Sequence, residues 1–368
     1  MRFLGVAGVA GLLALAACGD ETASTASTTS TTSSTSGAGG ATGQGGTTTS
    51  TSTSTGGGGG TGGHISYSGV SCKSTPPPDA AVPAPPEPYS GGTCPALAPG
   101  PNTIASGGVD RSFILVAPAD LQPGERLPVA FLWHWLGGSA TDFLDKGEVQ
   151  AAVDEQRFLA VIPEAKGDLL FKWPFEVSQT QARIDEEIGF FDDMLACVSE
   201  QFEADLSCVS SVGVSAGALF TGVLAGRRAD RLASMLSLSG GVEGVIQPWA
   251  HPQHHLPAIV LWGGPTDICV VVNFENASKS LEQALGDDGS FTLECVHNCG
   301  HTEPPFDTPA GLSKYAGLWE FVMAHPFWLP EGASPFVDDG VPASLPTWCA
   351  VGAGKATPRT GPCPAGGC

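Results

Sequence analysis

Between residues 111 and 324 the chain alternates short apolar runs with stretches whose apolar residues recur at helical spacing. Pro128–His134 and Phe158–Ile162 are almost continuously apolar, the mark of strands buried on both faces. Val209–Val214, Ser234–Leu238, Ala258–Trp262 and Phe291–Val296 read as further strands. Helical patterning falls between them, over Thr141–Glu155, Ile184–Phe202, Ala218–Ala225, Ala277–Leu285 and Ala310–Ala324. In Ile184–Phe202, for instance, the apolar positions are Ile188, Phe191, Leu195 and Val198. Arg111–Pro118 alternates and ends at proline, as an early antiparallel strand would. Strands alternating with helices predict an α/β fold: a mostly parallel, doubly wound sheet in a three-layer sandwich. No internal repeat is visible.

At the centre of this pattern, Val209–Val214 runs into Gly213-Val214-Ser215-Ala216-Gly217 and then an apolar helix start. Gly-x-Ser-x-Gly between a strand and a helix is the nucleophile elbow, a strained turn that lifts the serine hydroxyl above the sheet edge. The same turn frees the Ala216 N–H for a developing oxyanion. In an α/β-hydrolase the partners follow as acid and then histidine, each on a loop beyond a strand. Asp267 stands five residues beyond the strand ending at Trp262. Beyond Val296 come His297 and His301, close enough together that either could serve as base. The strand Phe291–Val296 leaves His297 at its end, whereas His301 lies past Gly300, which supplies the backbone freedom of a loop. His301 is therefore the expected base and Asp267 the group that orients it. His134-Trp135-Leu136-Gly137-Gly138 follows the first buried strand and makes Leu136 N–H the second candidate oxyanion donor.

These motifs together resemble secreted polyhydroxybutyrate-depolymerase-like and feruloyl-esterase-like serine hydrolases of the α/β-hydrolase superfamily. The matching stretches are Pro128–Gly138, Ile162–Ala165, Phe190–Asp192, the elbow, Ser239–Gly241, Gly264–Asp267 and Gly300–Thr302. The resemblance covers about residues 111–305 and implies ester hydrolysis through an acyl-enzyme, without metal or cofactor. The substrates it implies are polyesters or acyl esters decorating plant polysaccharide. A departure from the family is Trp135, where many hydrolases have glycine after the histidine. A bulky side chain there is expected to narrow the acyl pocket or tilt the loop.

Length and composition change the picture mainly at the ends. Of 368 residues, Met1–Ala17 carries Arg2 and an apolar core too short for a comfortable membrane span. Leu15-Ala16-Ala17-Cys18 resembles a bacterial lipobox, so residues 1–18 read as a lipoprotein signal with Cys18 lipidated at the membrane, the alternative being an uncleaved anchor or a plain signal peptide. From Glu21 to Gly63 the chain is nearly all Thr, Ser and Gly, and Pro76–Pro88 is Pro-rich. Residues 19–92 thus read as a tether that cannot form a core, and a chain beginning near Thr93 is expected to fold without it. The catalytic unit is expected at 93–330, with a Pro/Gly/Cys-rich tail at 331–368.

A net charge of −21 argues against nucleic acid and anionic surfaces as partners. Besides Cys18, ten cysteines remain, an even number that in an exported chain reads as disulfides. Cys197 and Cys208 bracket the segment entering the elbow strand and form the best local pair, one that also looks like the family's. Three rival readings compete with the esterase, one of them a peptidase on the same fold, disfavoured because no large propeller or lid domain precedes the catalytic region. Cys295, His297, Cys299 and His301 have soft ligands at alternate positions, with His251, His254 and His255 nearby in sequence, and could hold a metal if the cysteines were reduced. Alternatively, an inactive hydrolase scaffold on a surface lipoprotein could bind polymer or polysaccharide.

Overall fold

In the computed structural model residues 65–368 are described. The expected signal segment, Cys18 and most of the Thr/Ser/Gly stretch lie outside the described residues. The sheet opens with the antiparallel hairpin β1 (Gly100–Ser106) and β2 (Val109–Val116), followed by β3 (Leu127–Trp133). Then come α1 (Ala140–Lys146), α2 (Val149–Gln156), β4 (Leu159–Pro163), α3 (Gln181–Gln201), β5 (Ala204–Val214) and α4 (Ala216–Arg228). After β6 (Ser234–Leu238) and β7 (Ala258–Trp262), a small hairpin of β8 (Ile268–Cys269) and β9 (Val272–Asn273) leads into α5 (Phe274–Asp288). The chain continues through β10 (Thr292–Val296), α6 (Ala316–Ala324), α7 (Pro335–Asp339) and β11 (Cys349–Val351).

Nine strands form one sheet in the order β1-β2-β4-β3-β5-β6-β7-β10-β11. The six strands from β4 to β10 are parallel, with antiparallel β2 and β1 beyond β4 and antiparallel β11 beyond β10. The residues of β3 explain why its pattern shows no alternation. Val129, Phe131 and Trp133 pack into one core with α3, α4 and α5, while Ala130 and Leu132 pack into a second with α1, α2 and α6. Phe131 meets Phe191 at 4.6 Å and Trp133 meets Phe220 at 4.9 Å between ring centroids. A strand covered on both faces has no polar side to present. The three-layer, doubly wound α/β architecture expected from the pattern is the one observed.

Three expectations need correction. The single helix over Thr141–Glu155 is two, because the chain turns at Gly147 and Glu148, the latter left-handed at φ 48°. Cys197 and Cys208 do not pair with each other. Cys197 bonds Cys94 and Cys208 bonds Cys72, since one lies on a helix and the other on a strand facing different parts of the preceding segment. That segment is the third correction. Residues 65–92, expected to belong to a tether, lie along the α/β unit. Cys72 N–H donates to Met323 O, Ala84 N–H to Asp230 O, and Ser90 donates through both N–H and Oγ to the Asp193 carboxylate at 2.7 Å each. Arg231 Nε–H donates to Pro85 O and its guanidinium pairs with Glu87. A proline-rich strand has no helix or sheet of its own but is already extended, so side-chain and disulfide anchors suffice to dock it.

The tail also belongs to this unit. β11 adds to the sheet edge beside β10, and disulfides Cys295–Cys349, Cys299–Cys363 and Cys269–Cys368 staple it. With Cys295 and Cys299 in disulfides, the two thiolates of the proposed soft metal set are consumed. Among the described residues no cluster of three or more metal-ligating side chains occurs, and no helix is long and apolar enough to cross a membrane.

Two predictions follow from this packing. A chain beginning at residue 93 loses the Cys72–Cys208 bond, whose partners are 136 residues apart, together with the Asp193 and Arg231 contacts. Its stability should fall by about 2–4 kcal/mol, read calorimetrically as a Tm about 5–10 °C lower. An unchanged Tm would return the segment to the status of a spacer. The second concerns Glu282 on α5, which is buried with one carboxyl oxygen unpartnered. Burial, reinforced by the neighbouring Glu294, pushes its carboxyl up to about 8. A raised carboxyl favours folding below the unfolded value near 4.5, and that contribution is lost as pH climbs from there through 8. Glu282→Gln should therefore raise Tm over the wild type at pH 8–9, with the gain shrinking to nothing near pH 4. A gain independent of pH would mean that Glu282 is not titrating.

Candidate active site

β5 sits at the centre of the sheet and delivers Ser215 at its C-terminal end, just before α4. Ser215 is held at φ 54°, ψ −118°, a conformation that L-residues rarely adopt. The elbow closes only because its glycines lack side chains. A Cβ at Gly213 would lie 2.2 Å from Gly217 O, and one at Gly217 would lie 2.0 Å from Trp133 O. The end of β3 is thereby pressed against the start of α4. Ala216, first residue of that helix, has no acceptor for its N–H within the helix.

The loops after β7 and β10 bring the predicted partners to Ser215. Ser215 Oγ and His301 Nε2 are 2.8 Å apart, and His301 Nδ1 is 2.6 Å from Asp267 Oδ1. Asp267 is fully buried, and its other oxygen accepts from Ser239 Oγ at 2.9 Å and Gly263 N–H at 2.6 Å. With both oxygens occupied, the carboxylate cannot rotate away from the imidazole. With Asp267 accepting at Nδ1, the tautomer that fits carries its proton there and leaves Nε2 to receive the serine's proton. Phe274 stacks on the His301 ring at 4.3 Å, and Gly300 N–H donates to Gly263 O, joining the acid and histidine loops.

His297 is placed elsewhere. Its ring is fully buried, contacts Trp348 edge-on at 6.1 Å, and has no hydrogen-bond partner on either nitrogen. Burial lowers it to about 4, so it stays neutral and does not meet Ser215. His251 pairs with Asp288 and His255 with Glu331, away from His301.

A cavity of about 480 Å³ opens over Ser215. Its walls include Leu136, Phe143, Val214, Leu238 and Trp319, with Lys146 also on its lining. Trp135 lines it too: its ring folds back over Gly138, faces Phe143 at 6.1 Å and carries the Lys146 ammonium 5.0 Å from its centre. The loop itself is secured by His134, buried, whose Nδ1 lies 3.0 Å from Trp135 O, and by Trp173 Nε1–H donating to His134 O at 2.7 Å.

Sequence reasoning gave no role to Ser239, Gly263 or Phe274. Ser239 was visible as part of Ser239-Gly240-Gly241 at the end of β6, but its hydrogen bond to Asp267 depends on the adjacency of β6 and β7.

No protein-family model and no curated protein matches the chain. Solved structures do. Native pOPH is 17% identical with a TM-score of 0.54, covering 73% of this chain and 98% of its own. Native sOPH is 16% identical, with a TM-score of 0.54 and coverage of 73% and 99%. A ferulic acid esterase is 15% identical over 55% of this chain and 90% of its own, with a TM-score of 0.46. At these identities the likeness is one of fold, and the fold is that of the α/β-hydrolases.

The elbow geometry yields a third prediction. Gly217→Ala forces a methyl into the Trp133 carbonyl, so the protein should lose roughly 3 kcal/mol of stability or more. Denaturant titration measures this, and a loss under about 1 kcal/mol would show that the turn has room to relax.

Proposed function

We propose that this chain is a serine esterase that hydrolyses carboxylic esters through an acyl-enzyme. The observation that carries this reading is the relay Ser215–His301–Asp267, at 2.8 and 2.6 Å, opening into a mainly apolar cavity. In the proposed cycle His301 Nε2 takes the Ser215 proton as Oγ attacks the ester carbonyl carbon. The carbonyl electron pair moves onto its oxygen, for which the backbone N–H groups of Ala216 and Leu136 are the proposed donors. Collapse expels the alcohol oxygen, protonated from Nε2, and leaves the acyl group on Ser215 Oγ. Water then repeats the steps with His301 as base, releasing the acid. Asp267 orients the imidazole and stabilises its charged form during both transfers. No cofactor enters this scheme.

The resemblance supports a polymer-borne substrate, polyester or acylated polysaccharide. The apolar walls near Ser215 suit an acyl or alcohol group of moderate size. The five disulfides among the described residues support an oxidising, extracytoplasmic setting. Membrane attachment through Cys18 is proposed from the lipobox-like sequence.

The test is a set of three variants assayed on a short-chain nitrophenyl ester and with a fluorophosphonate probe. Ser215→Ala should lower turnover by about five to six powers of ten and abolish labelling while folding is retained. His301→Ala should be similarly inactive, whereas His297→Ala should keep most of the turnover even as Tm falls. Near-normal hydrolysis by Ser215→Ala would overturn the nucleophile. Loss of turnover in His297→Ala alone would reassign the base. A wild type that neither hydrolyses esters nor takes the probe would favour the binding-protein alternative.

A further inference from the structure

Two loops must hold still for the relay to persist, one carrying Asp267 and the other His301. A single covalent staple touches both. Cys269, two residues beyond Asp267, is bonded to Cys368, and Cys368 N–H donates to His301 O at 3.1 Å. Gly367 packs on the same carbonyl so closely that a Cβ there would lie 2.8 Å from it. Gly367, Cys368 and Cys269 also line the cavity above Ser215. A second staple, Cys299–Cys363, secures the same tail two residues before His301. The hairpin that bears Cys269 would not rest quietly on its own. Val270 is left-handed at φ 54°, unfavourable for a β-branched residue, and Ile268, Val270 and Val271 are all at least half exposed. Such a conformation persists only where its surroundings over-determine it.

We propose that the Cys269–Cys368 disulfide is a positioning element for the acid and base of the relay and a fixed wall of the substrate cavity. This rests on the esterase reading for its rate effects. The bond restrains the Asp267 loop through Cys269, and the His301 loop through the Cys368 amide. Losing it frees the two loops to move relative to each other, and displacement of about an ångström in a catalytic group can cost about 100-fold in rate.

The test uses the full chain with Cys269→Ser and Cys368→Ser combined, so that no unpaired thiol remains. A Cys94→Ser, Cys197→Ser pair, remote from the relay, serves as control. On a nitrophenyl butyrate substrate the Cys269/Cys368 variant should lose about 10- to 100-fold in kcat with little change in KM. The control should keep wild-type kcat at temperatures below its lowered Tm. A second readout needs no ester: the far-downfield proton NMR signal of His301 Nδ1–H against Asp267 should broaden or move upfield in the first variant and persist in the control. Unchanged kcat and an unchanged signal in a folded Cys269/Cys368 variant would overturn the proposal. Should the wild type hydrolyse no ester while the signal still responds to loss of this staple, the positioning role stands and the esterase reading falls.

Discussion

The close approach of backbone to backbone at Gly213, Ser215 and Gly217 is the constraint on which the site depends. β3 and β5 are parallel neighbours, and α4 must start within van der Waals distance of the Trp133 carbonyl for its first turn to face the cavity. Any side chain at the two glycines would hold these elements apart. The strained Ser215 backbone is the consequence: the chain reverses from strand to helix in one residue, and the hydroxyl is left above the sheet. Strain of this kind costs on the order of 1–3 kcal/mol and survives where the core over-determines it. Trp133, Trp173 and Phe220, all fully buried and in mutual contact, supply that rigidity directly beneath the elbow.

Around this fixed point the remaining site is assembled from loops at the C-terminal ends of parallel strands, where doubly wound sheets place their ligands. Each loop is tied to another. Gly263 both donates to Asp267 and accepts from Gly300, Ser239 reaches Asp267 from β6, and Phe274 covers the imidazole from the start of α5. The relay is therefore held by hydrogen bonds spread over four segments distant in sequence.

The disulfides extend the same logic outward. Two of them draw the segment preceding β1 onto the unit, and three bind the tail to β10 and the loops beside it. A segment of extended, proline-rich chain buries little apolar surface, so it is held by covalent bonds and by ion pairs such as Arg231–Glu87. The high acidity of the molecule is partly absorbed in this way, since Asp192, Asp193 and Glu187 all have charged or polar partners within the fold.

The alternation of apolar runs and helical periods was enough to read the parallel sheet, because strands covered on both faces must be apolar throughout. That Ser215, Asp267 and His301 would meet was legible from the Gly-x-Ser-x-Gly turn and from the chain order of two later loops, each a local pattern. What the sequence left open is non-local. Cysteine pairing depends on which Cα atoms end within about 6 Å, and Cys197 and Cys208 each found partners more than 100 residues away. The docking of residues 65–92 was hidden because its anchors, among them Asp193, Arg231 and Met323, carry no periodicity that pairs them with a proline-rich strand. The hydrogen bond from Ser239 and the stacking of Phe274 were hidden likewise, since both exist only once β6, β7 and α5 are laid side by side. Local chemistry is written residue by residue along the chain, whereas partners across the fold are chosen by packing.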